Sequence, residues 1–267
     1  MRIRTLLTAA LLTAVPLSGA LAKDAALAKA VSNEHRSPNL VERDKYRHPQ
    51  EVLEFAGIKP TATVVEIAPG GGYWTEILAP YLKDKGTYYI AMTPRTTSER
   101  AAKQVDDWNK KLADNKAHWG NAKIAEFGKG SYDIAPAGTV DLVITSRNVH
   151  NWMGAGFADE AFAAFYKALK PGGILSVEEH RAPADKPQDP KAENGYVRED
   201  YTIELAKKAG FKVVDKSEVL ANPKDTKDWP KGVWTLPPTL QMGETDRAKY
   251  LAIGEADNFL VKFQKPK

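Results

Sequence analysis

From Thr63 the chain reads TVVEIA and then PGGGYW, an apolar, β-branched run that breaks into glycines and resumes with aromatic and apolar residues. β-Branched side chains favour an extended backbone, and a run this short bounded by Pro60 and by the glycines predicts a buried strand. Trp74, Ile77, Leu78, Tyr81 and Leu82 then recur at helical spacing, so the glycines mark a strand-to-helix turn. Pro80 falls inside that helix and is expected to kink or shorten it. A tight glycine turn there lets backbone approach a ligand without a Cβ in the way, and the helix that follows presents free N–H groups.

The same alternation continues downstream. TYYIAM, KIAEF, VDLVITS and ILSVEE read as further strands, and FKVVDKSEVL and NFLVKFQ as the last two. Between them lie a long polar helix from Arg95 to Asp114, a helix with Phe162, Phe165, Tyr166 and Leu169 on one face stopped by Pro171-Gly172-Gly173, and a helix from about Arg198 to Ala209. No convincing helix separates the last two strands, so they are expected to pair antiparallel at one edge. The predicted fold is α/β: a doubly wound, Rossmann-like, seven-stranded, mostly parallel sheet with an antiparallel last strand and helices on both faces. Two long, breaker-rich loops, 182–195 and 221–238, are expected to form lids or binding loops.

Arg2 and Arg4 precede an apolar stretch of about 15 residues, short of the roughly 20 that span a bilayer as a helix. Ala20-Leu21-Ala22 then supplies a small-x-small pattern, the order of a secretory signal peptide. Residues 1–22 are therefore expected to be a cleaved signal, 23–62 a helical lead-in and 63–267 the main domain. The mature chain would begin at Lys23 and be periplasmic or secreted, with no stable membrane insertion. Removal of Arg2 and Arg4 lowers the formal charge from +4 to +2, and no block of like charges suggests nucleic-acid binding. The absence of cysteine excludes disulfides, thiol nucleophiles, cysteine-bound metals and a lipoprotein anchor. The five histidines, His35, His48, His118, His150 and His180, show no paired helical spacing, so no metal site is predicted.

The pattern Glu66-x-Ala68-x-Gly70-x-Gly72 resembles motif I of the class I S-adenosylmethionine (SAM)-dependent methyltransferases. LKPGGILSVEEH resembles the fifth-strand block of that superfamily, and VDLVITSRNVHNW its fourth strand with the following active-site loop. The likeness covers roughly residues 45–265. More narrowly, the lead-in RDKYRHP and the late loop DWPKGVWTLPP resemble a group of exported bacterial proteins described as predicted methyltransferases. The resemblance implies SAM as cofactor and a small-molecule or envelope acceptor. It implies cofactor contacts from Glu66, Ala68, Pro69, Gly70, Gly71, Gly72, Tyr73, Thr93 and Asn148.

Ala68 stands where the family has its first glycine, and the second strand ends Ala91-Met92-Thr93-Pro94 with no acid to hold the ribose hydroxyls. SAM is also made in the cytoplasm, whereas the leader sends this chain out. The alternative expectation is thus a non-catalytic, exported ligand-binding protein that retains the fold. A dinucleotide oxidoreductase is disfavoured by the missing acid and by the LKPGG block.

His150 follows the fourth strand, where ligands bind in doubly wound sheets, and is the expected general base. Glu178-Glu179-His180 closes the fifth strand at the same edge, making His180 and Glu179 further catalytic candidates. Glu178 and Glu179 should face opposite sides of the sheet, so one of them is expected to line the cleft. The dense cluster Arg43, Asp44, Tyr46, Arg47, His48 reads either as a cover over the cofactor mouth or as a solvated face. Trp229 and Trp234 read either as a cap on an apolar substrate or as anchors of their loop.

Overall fold

The computed structural model describes residues 24–267, so the expected leader lies outside the described residues. Four short helices come first: α1 (Ala25–Val31), α2 (Pro38–Val41), α3 (Asp44–Arg47) and α4 (Pro49–Ala56). Pro49 opens α4 and Gly57 closes it at φ 75°, a left-handed cap that glycine adopts without strain. The sheet begins with β1 (Thr63–Ile67), followed by α5 (Thr75–Leu82), β2 (Thr87–Met92), α6 (Glu99–Asp114), α7 (Lys116–Trp119) and β3 (Lys123–Glu126). Then come β4 (Val140–Ser146), α8 (Val149–Ala155), α9 (Ala158–Ala168), β5 (Leu169–His180), α10 (Glu199–Lys208), β6 (Lys212–Ser217), α11 (Arg247–Ile253) and β7 (Asn258–Gln264).

The strand order is β3-β2-β1-β4-β5-β7-β6. β1 to β5 pair in parallel, and β7 inserts antiparallel between β5 and β6. Alternate residues feed two cores, as the pleat demands. Val64, Leu142, Ile144 and Leu260 pack with α1, α2, α4, α5 and α6 on one face. Val65, Ile67, Val143, Leu175, Val177 and Val261 pack with α8, α9 and α10 on the other. The lead-in helices therefore share a core with the sheet.

α5 contains Pro80 and ends two residues beyond it, at Leu82. Three local expectations are revised. The polar stretch after β2 opens with a short 3₁₀ turn at Arg95–Thr97, and α6 starts only after Ser98, whose hydroxyl caps the Ala101 N–H at 3.1 Å. Pro171-Gly172-Gly173 does not separate helix from strand: β5 already begins at Leu169. Its Gly172 N–H and Gly173 carbonyl bond to Lys265 beyond the end of β7, at 2.8 and 2.9 Å, and a register shift against β4 absorbs the irregularity. α11 is an addition, in the stretch where no convincing helix was expected.

Candidate active site at the carboxyl edge of the sheet

The glycine turn sits at the end of β1. Ala68, Gly70 and Gly72 have φ of 51°, 56° and 96°, the left-handed region in which a Cβ is strained. A Cβ built on Gly70 or Gly71 would meet no atom within 4 Å, so the turn presents bare backbone to open space. The N–H groups of Gly70 and Gly71 bond to nothing among the described residues. Gly72 faces inward, where a Cβ would stand 2.9 Å from Lys111 Nζ and 3.1 Å from the Trp108 ring. Lys111 in turn donates to the Gly71 carbonyl at 3.2 Å.

Glu66, Gly72 and Tyr73, expected among the cofactor contacts, are buried supports of this turn. Glu66 lies on the α5 face of β1 and accepts hydrogen bonds from Thr75 Oγ1 (2.6 Å) and from the Tyr88 hydroxyl, joining β1, α5 and β2. Burial pushes its carboxyl up to about 6 against the pull of those two donors. Tyr73 gives its hydroxyl to Asp44 at 2.7 Å. Pro69 is also buried, so Ala68, Gly70, Gly71 and the exposed Thr93 at the end of β2 are left facing outward. No carboxylate takes the ribose position immediately after β2.

Beside the turn lies a buried ion network that local sequence does not announce. Arg43 pairs bidentately with Glu255 (2.6 and 3.0 Å), which Arg147 also reaches at 2.6 Å. Arg47, only 4% exposed, donates to Ser146 and to Glu178 at 3.2 Å, and its guanidinium lies 4.2 Å from the Tyr73 ring centroid. Arg36 pairs with Asp44 at 2.6 and 2.8 Å. Burial would raise the Glu255 carboxyl, but Arg147 and Arg43 overrule it and hold it down to about 2. Burial and the neighbouring Arg147 push Arg47 below the ordinary arginine range. The Arg43–His48 cluster thus folds over the turn, with partners up to 212 residues away. Arg47, Arg147, Ser146 and Glu255 are not among the residues the sequence offers as site residues: Arg47 lies in the Arg43–His48 cluster and Ser146 and Arg147 in VDLVITSRNVHNW, but Glu255 carries no local signal.

β5 stays extended through His180, so the alternation holds. Glu178 faces the lead-in helices and reaches Arg47; Glu179 faces α8 and reaches His150. Both are fully committed to partners at the carboxyl edge. His150 Nδ1 stands 3.0 Å from Glu179 Oε1, and the His180 ring centroid is 5.7 Å from that of His150. Asn148 Nδ2 donates to the Ile67 carbonyl at 3.2 Å, tying the start of α8 to the residue just before the glycine turn.

The late loop covers this edge. Asp225 accepts from the Tyr196 hydroxyl (2.9 Å), Trp229 Nε1 (2.7 Å) and the Asp257 N–H (2.8 Å), and Val233 donates to the Asn194 carbonyl at 3.0 Å. Trp229 anchors its loop, edge-on to Tyr250; Trp234 stands edge-on to His150 with centroids 6.0 Å apart.

No family model and no curated protein sequence matches the chain. Solved structures do. A SAM-dependent methyltransferase from Aquifex aeolicus is 17% identical, over 84% of this chain and 93% of that one, with a TM-score of 0.53. The N-methyltransferase NodS from Bradyrhizobium japonicum WM9 is 13% identical over 86% and 99%, at 0.50. The [4+2]-cyclase SpnF is 15% identical over 88% and 85%, at 0.54, so the fold also carries other chemistry. Identities this low speak to architecture, and the strand order and glycine turn agree with it: the chain has the fold of the class I SAM-dependent methyltransferases.

Proposed function

We propose that this protein is an exported SAM-dependent methyltransferase acting on a small molecule or envelope component. The observation that carries the reading is the juxtaposition at one sheet edge of an open glycine turn and a carboxylate-backed histidine, joined through the Asn148–Ile67 hydrogen bond. The space a Cβ would enter at Gly70 and Gly71 fits a ligand that lies against bare backbone. The Gly70 and Gly71 N–H groups suit the carboxylate of such a cofactor, and Thr93 offers one hydroxyl where a ribose acid is missing. When bound, SAM supplies an electrophilic methyl group on a positively charged sulfur. The chain's part is to hold the acceptor in line and, at His150, to take its proton.

Calorimetry with S-adenosylhomocysteine tests the reading. Gly71 has ordinary φ and open space ahead of it, so Gly71→Val fills the cradle without straining the turn. The wild type is expected to release heat on binding, and Gly71→Val to release none while melting at the same temperature. A folded wild type that binds neither SAM nor S-adenosylhomocysteine at millimolar ligand would hand the site to a different ligand.

A further inference from the structure

Glu179 is wholly buried, and its two oxygens receive three hydrogen bonds: from His150 Nδ1 (3.0 Å), the His150 backbone N–H (3.2 Å) and the His180 backbone N–H (2.8 Å). A carboxylate can only accept, so in the neutral His150 ring the proton sits on Nδ1. Nε2 keeps its lone pair and has no partner among the described residues. His180 differs. Its Nδ1 is buried without a partner, as is Asn258 Oδ1, and no carboxylate backs the ring. Burial and the Arg147 guanidinium push its charged form well below the ordinary histidine range, so His180 stays neutral. The two imidazoles are therefore not interchangeable.

Glu179 and His180 on β5 and the uncharged Trp234 ring face His150, while Arg147 before α8 acts on Glu179 and His180 rather than on His150 directly. On the methyltransferase reading above, we propose that Glu179 is a positioning residue holding His150 as a one-directional proton acceptor, and that the methyl acceptor is a hydroxyl-bearing molecule. An unprotonated amine attacks with its own lone pair, and a thiol ionises near neutrality. A phenol-like hydroxyl, with a reference pKa near 10, needs its proton taken as it reacts. The acceptor O–H bond breaks, and its proton moves to His150 Nε2. The oxygen's electron pair forms the new O–C bond as the C–S bond breaks with its pair left on sulfur. The products are a methyl ether, a neutral thioether and an imidazolium stabilised by Glu179.

Nitrogen-15 NMR of the imidazole rings through a pH series tests the arrangement with no acceptor present. The neutral wild-type ring of His150 is expected to carry its proton on Nδ1; a proton on Nε2 overturns the proposal, whatever any variant does. Glu179→Met removes the Oε1 acceptor that His150 Nδ1 and the His180 N–H share, and should let the proton move to Nε2. Transfer of label from methyl-labelled SAM to a panel of simple phenols should then fall about 10²- to 10⁴-fold, with S-adenosylhomocysteine affinity unchanged. Labelling of aliphatic amines in preference to phenols, or of neither, refutes the acceptor class. Should S-adenosylhomocysteine fail to bind while the Nδ1 proton is observed, the methyltransferase reading fails and the histidine pair stands.

Discussion

Glu255→Gln removes the carboxylate that clamps Arg43 and Arg147 while keeping its shape. The Glu255 carboxyl is held at about 2 in the fold against an ordinary 4.5. At roughly 1.36 kcal/mol per pH unit, that difference corresponds to about 3 kcal/mol of stability at neutral pH. The substitution also removes the carboxylate partner of Arg43 and leaves Arg147 and the buried Arg47 sharing Glu178, so the loss at pH 7 should be at least this large. Because the folded value is depressed, the contribution is complete above 4.5 and disappears as pH falls towards 2. It should be about half as large at pH 3 as at pH 7. Urea unfolding of both proteins at pH 7, 5 and 3 gives the gap directly, since groups that titrate alike in the two proteins cancel. A gap below about 1 kcal/mol at pH 7, or one that is as large at pH 3, would refute the reasoning.

Glu66 carries the opposite sign. Its carboxyl is raised to about 6 in the fold, so keeping it ionised costs about 2 kcal/mol at pH 8, a penalty relieved as pH falls through 6 towards 4.5. Both hydroxyl donors meet one of its oxygens, which Gln can reproduce; Glu66→Gln should therefore be more stable than wild type in melts at pH 8 and equal to it near pH 4.5, and equality at pH 8 would count against a buried carboxylate. N-terminal sequencing of protein from the envelope fraction is expected to begin at Lys23; a chain starting at Met1 in the cytosol would defeat the export proposal.

The parts of this fold that sequence reveals are those fixed locally. β7 spans the residues its alternation marked, and the left-handed φ values fall on the turn where glycine was needed. The opposite facing of Glu178 and Glu179 follows from the pleat alone, and so do their different partners. Local reading fails where the partner is remote. Arg43 and Arg47 look like a solvated charged face until β5 and the segment before β7 supply Glu178 and Glu255. β5 extends through Pro171-Gly172-Gly173 because the chain beyond β7 offers those glycines hydrogen bonds, which outweighs their local tendency to turn. α11 has no side-chain cap at Asp246 and only Tyr250 buried, so neither of the usual helix signals was strong.

The position of β7 bears on the order in which the sheet can close. β7 comes after every other strand in sequence, yet it lies between β5 and β6, where it fills the gap in the sheet and brings Asn258 beside His180. A nascent chain that has made β6 but not β7 has no partner for β6 and no Glu255 for Arg43 and Arg147. Such contacts of high sequence separation slow folding, because the intervening chain must be ordered before they form. The sheet cannot close while its keystone strand is unmade, and the site becomes competent only after the late loop and β7 are in place.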